Sequence, residues 1–324
     1  MKACVFGAGA IGGLLGVHLA RAGVETSLVT RGAHLQAIRV GGLRLEADGE
    51  TSVTPFRCTE DPAELGIQDF VFIALKAHTI PAAVDQIVPL LGPETCLVTA
   101  SNGIPYWFFH GSHGRFAGIR LESVDPGGRQ WDLLGPDRAL GCVVLPAAEV
   151  VSPGVIRHDH GRTFPIGEPG GQTTARALRL QDALVAGGLK APILDDIRDE
   201  IWLKLWGNQC FNPISALTLA TIDVVTSDPG TRAVCRAMML EAQAIGDRLG
   251  LRLRVDADRR IDGAHELGRH KMSMLQDLER GRSMEIEPLA GAVQELGRIT
   301  SVATPTIDVV LALIRQRARS AEVR

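Results

Sequence analysis

The chain has 324 residues, enough for about two domains of ordinary size, with 45% hydrophobic and 22% charged residues, the make-up of a globular protein. Its net charge of -3 excludes a general electrostatic pull toward nucleic acid or an anionic membrane surface. No run reaches the ~18 uninterrupted apolar residues of a membrane span. Six cysteines (Cys4, Cys58, Cys96, Cys142, Cys210, Cys235) are scattered without a C-x-x-C pair, which argues against a disulfide framework and for a reduced, cytoplasmic setting. The first apolar stretch has no basic leader or cleavage site and reads as neither a signal nor a transit peptide.

In chain order, short apolar runs at residues 2–6, 25–29, 70–75, 95–100 and 141–145 predict strands. Helical patterns beginning near Ile11, Ile80 and Arg176 lie between several of them, so the pattern predicts a parallel sheet covered on both faces. Residues 43–46 and 51–56 read as a short hairpin insertion. Residues 147–167, punctuated by Pro and Gly, read as antiparallel strands added to one edge of that sheet. After about Asp196 the period changes to 3.6, predicting helices at 197–219, 231–249, 256–280, 289–299 and 306–319. Pro229, Pro288 and Pro305 fall just before or at the start of three of them, where proline is tolerated. The expected fold is α/β: an N-terminal Rossmann doubly wound sheet over 1–195, then an all-helical domain over 196–324, with the boundary between about 172 and 200.

The first chemical motif is Gly7-Ala8-Gly9-Ala10-Ile11-Gly12, between the first strand and the first helix. In a G-x-G-x-x-G turn the first glycine permits the tight turn, the second lets a pyrophosphate approach the backbone, and the third lets helix and strand pack closely. The helix N-terminus then presents free N–H groups and a positive dipole end to the phosphates. The second strand ends in Thr30-Arg31-Gly32, without the acid that would bond a ribose 2′-hydroxyl. Arg31 can offer a planar charged fork to a 2′-phosphate, which favours NADP(H) over NAD(H); the plainer alternative is an exposed loop arginine. Lys76 and Asn102-Gly103 follow the third and fourth predicted strands, where ligands of doubly wound folds sit, although a solvated lysine and a simple turn would read the same way.

In the helical half, Lys204, Asn208 and Asn212 are spaced i, i+4, i+8 and share one helix face among Leu, Trp and Phe positions. Three such polar groups are costly to bury without partners, which points to a polar site. Pro213 predicts a break or kink at Asn212. The later stretch from Ser273 to Glu285 reads as an amphipathic helix closed by Gly281, with Glu285 near the entry of the next helix.

Taken together, GAGAIG, Arg31, Leu75-Lys76-Ala77, Asn102-Gly103, KLWGNQCFNP (residues 204–213) and SMLQDLERGRSMEIE (residues 273–287) resemble the ketopantoate reductases, or 2-dehydropantoate 2-reductases, over essentially the whole chain. The resemblance implies NADPH-dependent reduction of 2-dehydropantoate to (R)-pantoate, in pantothenate and coenzyme A biosynthesis, at a site between a Rossmann and a helical domain. By position, Lys204 resembles the family's catalytic lysine and general acid. Asn208 and Asn212 resemble its substrate asparagines, and Ser273 and Glu285 its substrate-binding serine and glutamate. Asn102 resembles the asparagine meeting cofactor and substrate, and Arg31 and Lys76 its basic residues near NADPH. The implied partner is a small 2-keto acid, with a homodimer as the assembly the helical domain could support.

Two departures bear on the substrate. His270 stands three residues before Ser273, where many members have asparagine, and residues 104–111, with the single tyrosine Tyr106, form a longer and more aromatic stretch. They leave open a different branched 2-keto acid with the same mechanism. A non-catalytic NADP-binding sensor is a further alternative, against which the lysine and its neighbours argue. The 6-phosphogluconate-type 3-hydroxyacid dehydrogenases share the two-part plan and a K-x-x-x-N pair, but not the SMLQD block. His158 and His160, at i, i+2 in an extended segment, lack an obvious third ligand, so no metal site is expected. His110 and His113 read as surface loop residues.

Overall fold

The computed structural model describes residues 1–322. The chain divides into two compact units: residues 1–120 with 125–197, and residues 121–124 with the described chain from Arg198 onward.

The first unit runs β1 (Lys2–Phe6), α1 (Ala10–Arg21), β2 (Glu25–Val29), α2 (Gly32–Gly41), β3 (Leu43–Ala47), β4 (Glu50–Thr54), β5 (Arg57–Thr59), β6 (Phe70–Ile73), α3 (Ile80–Ile87) and β7 (Cys96–Thr99). It continues with α4 (Arg129–Leu134), β8 (Ala139–Cys142), β9 (Ala147–Ser152), β10 (Val155–His160), β11 (Ile166–Gly167) and α5 (Ala175–Ala186). Among the described residues one sheet has seven strands in the order β11-β8-β7-β6-β1-β2-β5, all parallel except β11 against β8. The order reverses between β1 and β6, the switch point at which doubly wound sheets open a crevice at their carboxyl ends.

The hairpin β3–β4 forms as its alternation predicts. The expectation for residues 147–167 needs correction. Only β11 joins the main sheet, whereas β9 and β10 join the hairpin in a separate four-stranded sheet, β4-β3-β10-β9. The reason lies in α1, whose residues from Gly12 to Leu19 are all buried. A helix apolar on every side needs cover on every side. Ile156 of β10 and Leu43 of β3, both fully buried, meet α1 where Gly13 leaves room for them.

The second unit contains α6 (Ile197–Thr218), α7 (Ile222–Ser227), α8 (Pro229–Leu249), α9 (Ala257–His265), α10 (Ser273–Glu279), a π-helical turn (Glu287–Gly291) leading into α11 (Ala292–Thr300), and α12 (Pro305–Glu322). Two expectations fail here. The helix predicted over 256–280 is two helices, because the intervening segment turns away at Gly268 (φ 62°) and spends its carbonyls on α7. The Gly268 and His270 carbonyls accept from Asp223 N–H (3.3 Å) and Ile222 N–H (2.9 Å), donors that the start of α7 would otherwise leave unmet. Of the break or kink expected at Pro213, the break does not occur, and α6 runs through to Thr218. Proline removes one backbone donor, but the surrounding Phe211, Ile214 and Ala216 are buried and hold the helix together. Glu241 accepts from Thr306 N–H (2.8 Å) and Ile307 N–H (2.9 Å) at the start of α12. Glu295 accepts from Glu122 N–H (2.8 Å) and Ser123 N–H (2.9 Å), which fastens residues 121–124 to this unit.

Candidate active site

In the first unit the glycine turn follows β1 directly. The Gly7 and Ala8 N–H groups both donate to the Val29 carbonyl, at 3.0 and 3.1 Å, so the turn is pinned to the end of β2. Gly7 has φ 100°, and a Cβ there would stand 2.8 Å from Leu75 Cδ2 and 2.9 Å from the Ala74 carbonyl oxygen. A Cβ on Gly12 would overlap the Gly7 carbonyl oxygen and approach Ala74 Cβ and Val5 Cγ1 to 3.0 Å. Gly9 differs: its φ of -72° suits any residue, and a Cβ there would have nothing within 4 Å. Two glycines serve the packing, and the third faces open space. Gly9 is also the N-cap of α1, which has no capping side chain and no acid in its first turn. Open space, uncapped N–H groups and no carboxylate are what a dinucleotide pyrophosphate requires, so these residues fit one.

Arg31 is exposed at the N-cap of α2, and its guanidinium makes no ion pair among the described residues. Beyond β6 and β7 the ladder continues one residue, through Ala74 N–H to Phe6 O (2.9 Å) and Ala100 N–H to Ile73 O (3.0 Å). Lys76 and Asn102 then follow, both half-buried, with Gly103 at φ 87°. The glycine turn, Arg31, Lys76 and Asn102 therefore all lie along the carboxyl edge of one parallel sheet.

The aromatic stretch after Asn102 is another correction. Tyr106, Trp107, Phe108 and Phe109 are buried and bonded within this unit. Tyr106 Oη donates to the Gly135 carbonyl (3.1 Å), Trp107 Nε1 donates to Thr99 Oγ1 (3.0 Å), and Phe108 and Phe109 meet edge to face at 5.1 Å. Their bulk anchors the loop, so the aromatic run is no reason to doubt the substrate. His158 Nε2 bonds the Gly161 carbonyl (2.5 Å), and Asp159 pairs with Arg157 (3.1 Å) in the separate sheet.

In the second unit, α6 is fixed by Trp202, Leu205, Trp206 and Phe211, all buried, with Trp206 Nε1 donating to the Met239 carbonyl at 2.7 Å. Lys204 and Asn208 are half-buried and Asn212 is 1% exposed. Asn212 Nδ2 donates to Ser273 Oγ at 3.4 Å, a long bond, while its Oδ1 is buried without a partner among the described residues. A buried acceptor left unmet costs about 1–3 kcal/mol of stability. Ser273 opens α10, and Glu285 lies, 8% exposed, between α10 and the π-helical turn. The structure thus brings Ser273 of α10 to Asn212, which lies on the same helix as Lys204 and Asn208.

Sequence reasoning passed over two charged or titratable groups. Arg260 of α9 lays its guanidinium against α6, with Nη2 2.8 Å from where a Gly207 Cβ would stand, and burial lowers its pKa. The other, His34 in the first turn of α2, bonds the glycine turn itself. Its position three residues after Arg31 was the only available signal. All six cysteines are buried and none forms a disulfide among the described residues, and burial raises the thiol pKa of Cys4 and Cys96 to about 12.

A doubly wound sheet with this glycine turn, joined to a helical unit bearing a lysine–asparagine face, defines an oxidoreductase that uses a nicotinamide cofactor. The family model described as ketopantoate reductase PanE/ApbA matches residues 3–171, and its C-terminal companion matches residues 196–318. A 2-dehydropantoate 2-reductase of Mesorhizobium japonicum is 57% identical over 98% of both chains. Among solved structures, a candidate ketopantoate reductase from Ralstonia solanacearum MolK2 superposes with TM-score 0.94 at 43% identity, covering 98% of each chain. One from Ralstonia eutropha JMP134 gives 0.86 at 28%, covering 99% of this chain and all of the other (100%). The chain belongs to the ketopantoate reductase family.

Proposed function

We propose that this protein reduces 2-dehydropantoate to (R)-pantoate with NADPH, in pantothenate and coenzyme A biosynthesis, with Lys204 as the general acid. The observation that carries the reading is the α6 face: Lys204 and Asn208 lead to Asn212, whose buried Oδ1 is unmet and whose Nδ2 reaches Ser273. When bound, the reduced nicotinamide supplies a hydride to C2 of the keto acid. Charge then builds on the carbonyl oxygen, which the Lys204 ammonium stabilises and protonates, so that the ketone becomes an alcohol. Ser273, Asn208 and Asn212 hold the substrate's polar oxygens. Glu285 accepts from its hydroxyl, which makes a keto acid lacking that hydroxyl a poor substrate. Asn102 meets cofactor and substrate, and Arg31 and Lys76 hold the phosphate end of NADPH. Support for NADPH over NADH is the Arg31 guanidinium, which has no partner among the described residues, and the absence of an acid at the end of β2.

A second reading, reduction of another branched 2-keto acid by the same residues, rests on His270, half-buried three residues before Ser273. Steady-state rates for a panel of 2-keto acids, each with NADPH and NADH, separate the readings. The proposal requires the highest kcat/KM for 2-dehydropantoate with NADPH. Equal or better turnover of an analogue lacking the hydroxyl would reject it.

A further inference from the structure

His34 is held on both sides of its ring. The Gly154 N–H, in the turn between β9 and β10, donates to His34 Nδ1 at 3.0 Å, so that nitrogen carries no proton. Nε2 therefore keeps the ring proton and donates it to the Ala8 carbonyl oxygen at 2.9 Å. Burial lowers the pKa of the ring, in keeping with a neutral imidazole. Both partners are themselves fixed. Ala8 N–H is bonded to Val29 O (3.1 Å), and Gly154, at φ 78°, presses on α2, where a Cβ would come 2.9 Å from Ala37 Cβ. One side chain thus ties together the glycine turn, the first turn of α2 and the separate sheet.

We infer that His34 is a positioning residue for the dinucleotide: it sets the glycine turn at a fixed distance from Arg31, three residues before it on the same helix start. The inference rests on the reading of that turn and Arg31 as the NADPH site. His34 acts through Ala8 and α2 rather than on the reacting atoms, so it governs cofactor affinity and leaves the chemical step alone. Its loss also weakens NADPH more than NADH, because only NADPH needs both the turn and Arg31 in register.

The test measures Kd for NADPH and NADH, and KM and kcat, in the parent, His34→Ala, His34→Gln and Arg31→Ala. In His34→Ala, Kd and KM for NADPH rise about tenfold, the NADPH preference shrinks, and kcat at saturating NADPH stays within about twofold. His34→Gln, whose amide nitrogen replaces Nε2 as donor to Ala8, recovers part of the loss, and stands in should His34→Ala not fold. NADPH affinity unchanged in a folded His34 variant, or a fall in kcat at unchanged Kd, overturns the inference. If Arg31→Ala also binds both cofactors as the parent does, the underlying site assignment has failed; if only Arg31→Ala loses NADPH, the His34 inference alone has.

Discussion

Gly9→Ala separates binding from folding more sharply than any other change in the glycine turn. The new Cβ meets nothing within 4 Å and the backbone, at φ -72°, tolerates alanine. The stability cost is therefore only that of alanine in place of glycine at an N-cap, about 0.5–1 kcal/mol. For a unit of this size that lowers Tm by about 1–4 °C. The methyl instead stands in the space a pyrophosphate would occupy beside the uncapped N–H groups. Losing one or two charge-assisted hydrogen bonds, each about 1.5 kcal/mol or more, raises Kd for NADPH about 10- to 100-fold. Gly12→Ala is the control, because its Cβ overlaps the Gly7 carbonyl oxygen and must push strand and helix apart. It should cost about 1–3 kcal/mol of stability along with the affinity. Thermal melts without ligand and titration calorimetry with NADPH read both quantities. The reasoning is refuted if Gly9→Ala binds NADPH as the parent does, or if it destabilises the fold as much as Gly12→Ala.

Three further outcomes follow from particular contacts. Arg176→Met removes the charged partner of Glu168, which is 4% exposed and bonded by Arg176 through Nε (2.7 Å) and Nη2 (2.5 Å) and by Thr174 Oγ1 (2.5 Å), so the unfolding free energy from urea titration should fall by about 3 kcal/mol; a loss under about 1 kcal/mol would show the pair to be dispensable. Asn212→Leu relieves a buried unmet acceptor, so Tm should hold or rise while KM for the keto acid climbs; an unchanged KM would remove Asn212 from the site. His18 and His34 both have pKa values lowered from 6.5, first by burial, so the unfolded chain takes up protons more readily. Their contribution to stability is complete above about pH 6.5 and is lost as pH falls through the lowered folded values, and melts on either side of 6.5 that show no such loss would contradict it.

The parts of the molecule legible in the sequence were those governed by local pattern. Strands β1 and β2 lie where their apolar runs begin and end, and G-x-G-x-x-G is local by nature. What escaped was decided by contacts far apart in the chain. β9 and β10 alternate like any edge strands, and only the need to cover the outer side of α1 sends them to a separate sheet. Residues 266–272 keep a helical period, yet their carbonyls are drawn away to the start of α7. The aromatic run from Tyr106 reads equally well as pocket or core, and the distant partners Gly135 and Thr99 settle it as core. In the site, the Lys204–Asn208–Asn212 spacing was visible, whereas the Asn212–Ser273 bond joins residues 61 apart.

The account turns on the proton that Lys204 delivers. The most direct measurement is the rate of 2-dehydropantoate reduction by Lys204→Ala at saturating NADPH, alongside Kd for NADPH in the same protein. Removal of a general acid should lower kcat by about 10²- to 10⁴-fold with Kd essentially unchanged. Turnover by the variant at the parent's rate would contradict the assignment.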